Sequence, residues 1–151
     1  MSETLELSAF LPYRLSVLSN RASQGIAALY EDRFGISLPQ WRIMAVLGNL
    51  PDISARELAK QTAMDKVAVS RSVKKLLTAG LLERHFAAED KRRSVLALSE
   101  KGQDIYQQVV PLAIAWEREF LETLNPDELQ QLDLLISKLM ESPVFKGSAG
   151  A

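Results

Sequence analysis

The chain has 151 residues, 47% of them hydrophobic and 25% charged, a formal net charge of −1 and no cysteine. That is enough chain for one domain with a real core, and the missing thiols exclude disulfides, thiolate metal sites and cysteine-based peroxide sensing. No apolar run approaches the ~20 residues that span a bilayer, and the acidic start Met1-Ser-Glu-Thr-Leu-Glu6 is unlike a signal peptide, so a cytoplasmic protein without membrane contact is expected.

Residues 1–10 read as a short arm with a trace of helix around Leu5 to Phe10. Pro12 suits a first helical turn. From there Leu15, Leu18, Ala22, Ile26 and Leu29 keep helical spacing as far as Phe34, and Gly35 ends the run. Arg14 and Arg21 share a face of this long helix, and two readings stay open for them. They hold the carboxylate of a small aromatic ligand, helped by Tyr13, Asn20 or Trp41. Alternatively, and preferred on the residues alone, they pair with the acidic C-terminal helices or reach phosphates.

Ser37 is placed to cap a second helix with Pro39 in its first turn, running through Trp41, Met44 and Leu47 to Gly48. Trp41 shares a stripe with Met44 and reads first as core. After the turn Asn49-Leu-Pro51-Asp52, Ser54 and Glu57 have the spacing of a capping box, in which hydroxyl and carboxylate satisfy reciprocal backbone N–H groups. Asp65 is an N-cap for the next helix, and Gly80 supplies its left-handed stop. Two short helices joined this tightly, the second basic, match a helix-turn-helix. On the second helix Val69, Val73 and Leu76 form the buried stripe; Val67, Arg71, Lys74 and Thr78 lie opposite, with Lys75 to one side and Lys66 and Ser70 to the other.

Leu82 to Phe86 and Ser94 to Leu98 read as two strands around a charged loop, Glu89-Asp-Lys-Arg-Arg93. A hairpin tip of this kind delivers an arginine to a minor groove while the adjacent helix occupies the major groove. Asp90, two residues before Arg92, is expected to hold that guanidinium in a bidentate pair. Charge is unevenly divided. Residues 66–93 carry eight basic and three acidic residues, or +5, whereas residues 94–151 carry four basic and nine acidic, or −5. Affinity for a polyanion follows the local charge and not the total.

Beyond the hairpin, Ser99 is expected to cap a long helix through Ile105, Val109, Leu112, Trp116, Phe120 and Leu124. Pro111 interrupts it as a kink, because the apolar pattern passes through without a change of phase. Asn125-Pro-Asp-Glu128 is a further capping box, and Leu129, Leu132, Ile136 and Leu139 follow in a 3-4-3 seam suited to a second copy of the chain. Pro143 stops that helix. An enzyme is not expected, nor any cofactor or metal: the single histidine, His85, has no companion for a nucleophile–base pair, and there is no phosphate-cradling glycine loop.

Asp90-Lys-Arg-Arg93, with Gly80-Leu-Leu-Glu-Arg84 before it and Leu98-Ser-Glu-Lys-Gly102 after it, resembles the MarR (multiple antibiotic resistance regulator) family, and the likeness extends from about Pro12 to Met140. The resemblance implies a homodimeric DNA-binding regulator, usually a repressor released by a small molecule held between the first helix and the DNA-binding lobe. It also implies a minimal third strand at Ile53. The stretch Phe10 to Arg21 is similar to members tied to aromatic-acid catabolism, so an aromatic acid or its thioester is the expected effector. The expected fold is mainly α with a small β wing: a winged helix-turn-helix lobe over residues 37–98, dimerisation helices over 1–36 and 99–142, and a disordered tail over 143–151. Expected contacts to double-stranded DNA are Lys66, Val67, Ala68, Ser70, Arg71, Lys74, Lys75, Arg84, Asp90, Lys91, Arg92 and Arg93; expected ligand contacts are Tyr13, Arg14, Arg21 and Trp41. The alternative is a winged helix that binds protein, which would not require bases on both the helix and the wing tip.

Overall fold

The computed structural model describes residues 2–147, and the chain divides into two compact units, Met1–Ala113 and Ile114–Ala151. The first unit opens with a 3-10 turn at Leu7–Ala9, then α1 (Leu11–Ala27), the one-turn α2 (Glu31–Phe34), α3 (Leu38–Asn49), α4 (Ala55–Thr62) and α5 (Lys66–Thr78). Strands β1 (Leu82–Phe86) and β2 (Ser94–Leu98) pair antiparallel with Leu82 opposite Leu98 and Phe86 opposite Ser94. Helix α6 (Glu100–Phe120) begins here.

The first helix is shorter than its apolar spacing suggests. Leu29 and Tyr30 donate to the carbonyls of Ile26 and Ala27, a 3-10 tightening that breaks the α-ladder before α2 resumes. The break turns Tyr30 fully into the core, its ring stacked on Trp41 with centroids 5.5 Å apart. Tertiary packing overrides a periodicity that continues through the site. Burial pushes the Tyr30 hydroxyl up to about 12, with nearby Glu31 adding to the shift and Arg42 opposing it, and among the described residues the buried oxygen has no hydrogen-bond partner. Trp41 also stacks on Tyr106, with ring centroids 6.0 Å apart.

The core gathers Ile43, Met44 and Leu47 of α3, Leu58 of α4, Val69, Val73 and Leu76 of α5, Leu82 and Leu96 of the sheet, and Ile105 and Val109 of α6. Ser37 and Gln40 form a complete capping box at the start of α3. At α4 only half of the expected box forms: Ser54 Oγ accepts from the Glu57 amide at 3.1 Å, but the Glu57 carboxylate takes a hydrogen bond from Gln61, one turn on. A carboxylate on a helix surface finds its i+4 neighbour as readily as the backbone behind it. Ile53 does make the third-strand contact, a single bridge to Leu96.

In the second unit, the end of α6 stacks Trp116 on Phe120 at 5.1 Å. The helix runs unbroken through Pro111 and stops at Phe120, short of Leu124; a 3-10 turn at Leu121–Thr123 follows. Asn125 must be extended both as the cap of α7 (Pro126–Met140) and as the residue before a proline, which ends helical backbone there. The Asn125–Glu128 capping box is complete. Residues 143–147, expected in a disordered tail, form a 3-10 turn at Pro143–Gly147, a conformation that suits proline in its opening position; residues 148–151 lie outside the described residues. Among the described residues no helix is long and apolar enough to cross a membrane.

Candidate nucleic-acid interface

The α4–α5 pair is built by its caps. Ala63 ends α4 in the left-handed region at φ 54°, and Asp65 Oδ1 then accepts from the Ala68 amide at 2.8 Å to start α5. At the far end Gly80 adopts φ 75°; its N–H bonds the Leu77 carbonyl at 3.1 Å, and that of Leu81 bonds the Leu76 carbonyl at 2.9 Å. This is the paired closure that lets a helix stop and the chain reverse into a strand.

Between these stops α5 buries Val69, Ser72, Val73 and Leu76 and exposes Lys66, Val67, Ser70, Arg71, Lys74 and Lys75. The presented face is the one expected. Ala68 differs: it is half-buried, and its amide is occupied by the Asp65 cap, so it has least to offer a ligand. Lys66, Ser70 and Lys74 line a groove of about 440 Å³ with Arg84 from β1 and Arg56 from α4. Arg84 Nη1 donates to Ser94 Oγ at 3.0 Å, which fixes the guanidinium across the hairpin. Arg56 was not among the expected contacts. Its signal was weak: it stands in the first turn of a helix whose other polar residues are unremarkable, and only the fold brings it beside the lysines of α5.

The wing tip is shaped by backbone hydrogen bonds, Ala87 N–H to Arg93 O at 2.8 Å and Arg93 N–H to Asp90 O at 3.0 Å. Asp90 does not grip the Arg92 guanidinium. Its Oδ1 accepts from the Arg92 backbone amide at 3.0 Å, the two-residue turn that aspartate side chains favour. Arg93 sits 3.6 Å from Glu89, and among the described residues Arg92 and Lys91 make no ion pair. The carboxylate therefore sets the loop and leaves Arg92 outward and uncommitted.

The expected ligand contacts divide. Tyr13, Arg14 and Arg21 line an open groove of about 460 Å³ along α1 with Leu11, Val17 and Leu18. Trp41 is not with them, being buried against Tyr30 and Tyr106. Among the described residues neither Arg14 nor Arg21 forms an ion pair.

Comparison with known proteins places this geometry among regulators. A sequence model of the MarR family matches residues 34–93. The HTH-type transcriptional regulator BilQ of Clostridium symbiosum (strain WAL-14163) is 36% identical over 105 residues, 70% of this chain and 73% of that protein. A MarR/EmrR family transcriptional regulator from Acinetobacter sp. ADP1 superposes with a TM-score of 0.82 at 32% identity, over 90% of this chain and 96% of that one. Bordetella bronchiseptica BpsR, whose DNA binding is regulated by 6-hydroxynicotinic acid, shares the fold with a TM-score of 0.79 at 20% identity, over 93% and 99% of the two chains.

Proposed function

Because the chain belongs to the MarR family of DNA-binding transcriptional regulators, we propose that it acts as a homodimeric repressor of a pseudo-palindromic operator, released by a small aromatic acid or its thioester. The observation that carries the DNA contact is the set of exposed cations on α5, with Arg56 and Arg84 beside Lys66 and Lys74 in one groove and Lys91, Arg92 and Arg93 exposed at the wing tip. Two copies of α5 would enter successive major grooves about 10 base pairs apart. Residues 66–71 offer base-edge contacts, Arg71 toward guanine. Lys74, Lys75 and Arg84 serve phosphates, as does Arg56. Arg92 enters the minor groove, with Lys91 and Arg93 beside it.

Dimerisation is supported by exposed apolar side chains on the helices that flank the DNA-binding lobe. Leu11, Leu15 and Leu18 of α1 are exposed, as are Leu132, Leu135, Ile136 and Leu139 of α7. Patches of this kind on a soluble chain mark protein contact. The groove with Tyr13, Arg14 and Arg21 supplies an aromatic edge and two unpaired guanidinium groups, the chemistry that holds an aromatic carboxylate. BpsR, regulated by an aromatic acid, supports that choice of ligand class. Such a ligand would act by favouring a separation of the two α5 helices that no longer fits the operator.

A gel-shift titration against salt tests the central claim. Affinity should fall steeply and linearly on a log–log plot, and absence of retardation even at low salt would remove DNA from the reading.

A further inference from the structure

The contacts above leave the ring of Phe86 without a role. It closes β1 opposite Ser94 and is 70% exposed, whereas Leu82, Val95 and Leu96 of the same sheet are buried. Among the described residues no ring or cation stacks on it. Strand alternation puts Phe86 on one face with Leu82 and Arg84. Leu82 enters the core, and Arg84 lines the basic groove with Lys66 and Lys74. Phe86 is the next step outward along that face, and it lines a second hollow with Asp52, His85, Glu89 and Arg93 at the base of the tip.

We propose that Phe86 is a DNA contact, its ring packing on deoxyribose and base edge at the mouth of the minor groove beside Arg92. The proposal rests on the DNA-binding reading above and adds to it an aromatic contact at the wing, in addition to the exposed Val67 that α5 presents among its cations. A duplex is anionic at its phosphates and apolar at its sugars and thymine methyl groups, so it satisfies the cations and the ring together. Continuity with Arg84, which is tied to Ser94 directly across from Phe86, places the ring on the same surface as the phosphate contacts.

The test uses the full chain and a duplex that the wild-type protein has selected from a random-sequence pool. Phe86→Ala is expected to weaken binding about tenfold, the effect of losing roughly half the burial of a phenyl side chain. The slope of log affinity against log salt should stay at the wild-type value, because no phosphate contact is removed. Phe86→Tyr keeps the ring and should bind within about twofold of wild type. Since the ring is exposed, both variants should melt with the wild type. Unchanged affinity in Phe86→Ala overturns the proposal and assigns the ring to some other partner, and a loss accompanied by a shallower salt slope overturns it equally. Failure of the wild-type chain to retain any duplex overturns both this proposal and the DNA-binding reading, which separates that failure from one confined to the ring.

Discussion

Ser99 ties the turn after α5 to the start of α6, and removing its hydroxyl has a calculable consequence. Ser99 is buried; its Oγ donates to the Gly80 carbonyl at 2.6 Å and accepts from the Gly102 amide at 3.0 Å. In Ser99→Ala the N-terminus of α6 loses its cap, at about 1 kcal/mol. The bond to Gly80 is worth roughly another 1 kcal/mol net. No repacking recovers either, because a Cβ on Gly102 would already overlap the Leu81 carbonyl and the two segments are in contact. The sum of about 2 kcal/mol should lower Tm by about 4–8 °C for a chain of this size. Calorimetry at one fixed protein concentration measures it, and the urea midpoint should fall with its slope unchanged. Hydrogen exchange supplies a local readout, since the Gly102 amide should lose protection before its neighbours in α6. A melt within about 1 °C of wild type, with the Gly102 amide still protected, would refute the reasoning.

Arg92→Ala should weaken operator binding by at least about 1 kcal/mol and reduce the salt slope by about one charge without altering the melt, which a gel-shift titration at several salt concentrations resolves. Tyr30→Phe removes a buried hydroxyl that has no partner, so urea unfolding should show it neutral or stabilised by about 1 kcal/mol near pH 7. In the wild type the folded Tyr30 hydroxyl is raised to about 12 from 10.0. The neutral form therefore favours the fold fully below pH 10, and that stability is lost as pH rises from 10 through 12; Tyr30→Phe should lose less over the same window. Ala63→Gly relieves a left-handed residue at φ 54° and should gain up to about 1 kcal/mol in the same assay.

The parts of this fold that local chemistry decides were readable in advance. Asp65 and Gly80 delimit α5 because a side-chain acceptor and a residue free at positive φ act within a few positions, and the strands at 82–86 and 94–98 follow from runs bounded by a polar loop. What escaped were choices between near-equal partners or between distant segments. Tyr30 leaves the helical register because Trp41 waits in the core, a fact held by another helix. Asp90 had two acceptable donors on Arg92 and took the nearer, the backbone amide. Arg56 joins the basic groove only once α4 is packed on α5. Trp41 was legible as core from its stripe with Met44, yet it was also expected beside Tyr13, Arg14 and Arg21, and the groove those three line does not include it.

The hydrogen bond from the Arg92 amide to Asp90 separates the backbone of the wing from the hand it carries. Hydrogen bonds hold the loop backbone, so little chain entropy would remain to be lost on binding, while the exposed Arg92 guanidinium would give up its rotamers only on contact. Such a device would tolerate grooves of differing width, because the side chain can lengthen or retract its reach without unmaking the turn. Sequence discrimination would then rest with α5, while the wing serves as an adjustable grip common to many sites, its heat of binding varying from one duplex to the next more than its free energy.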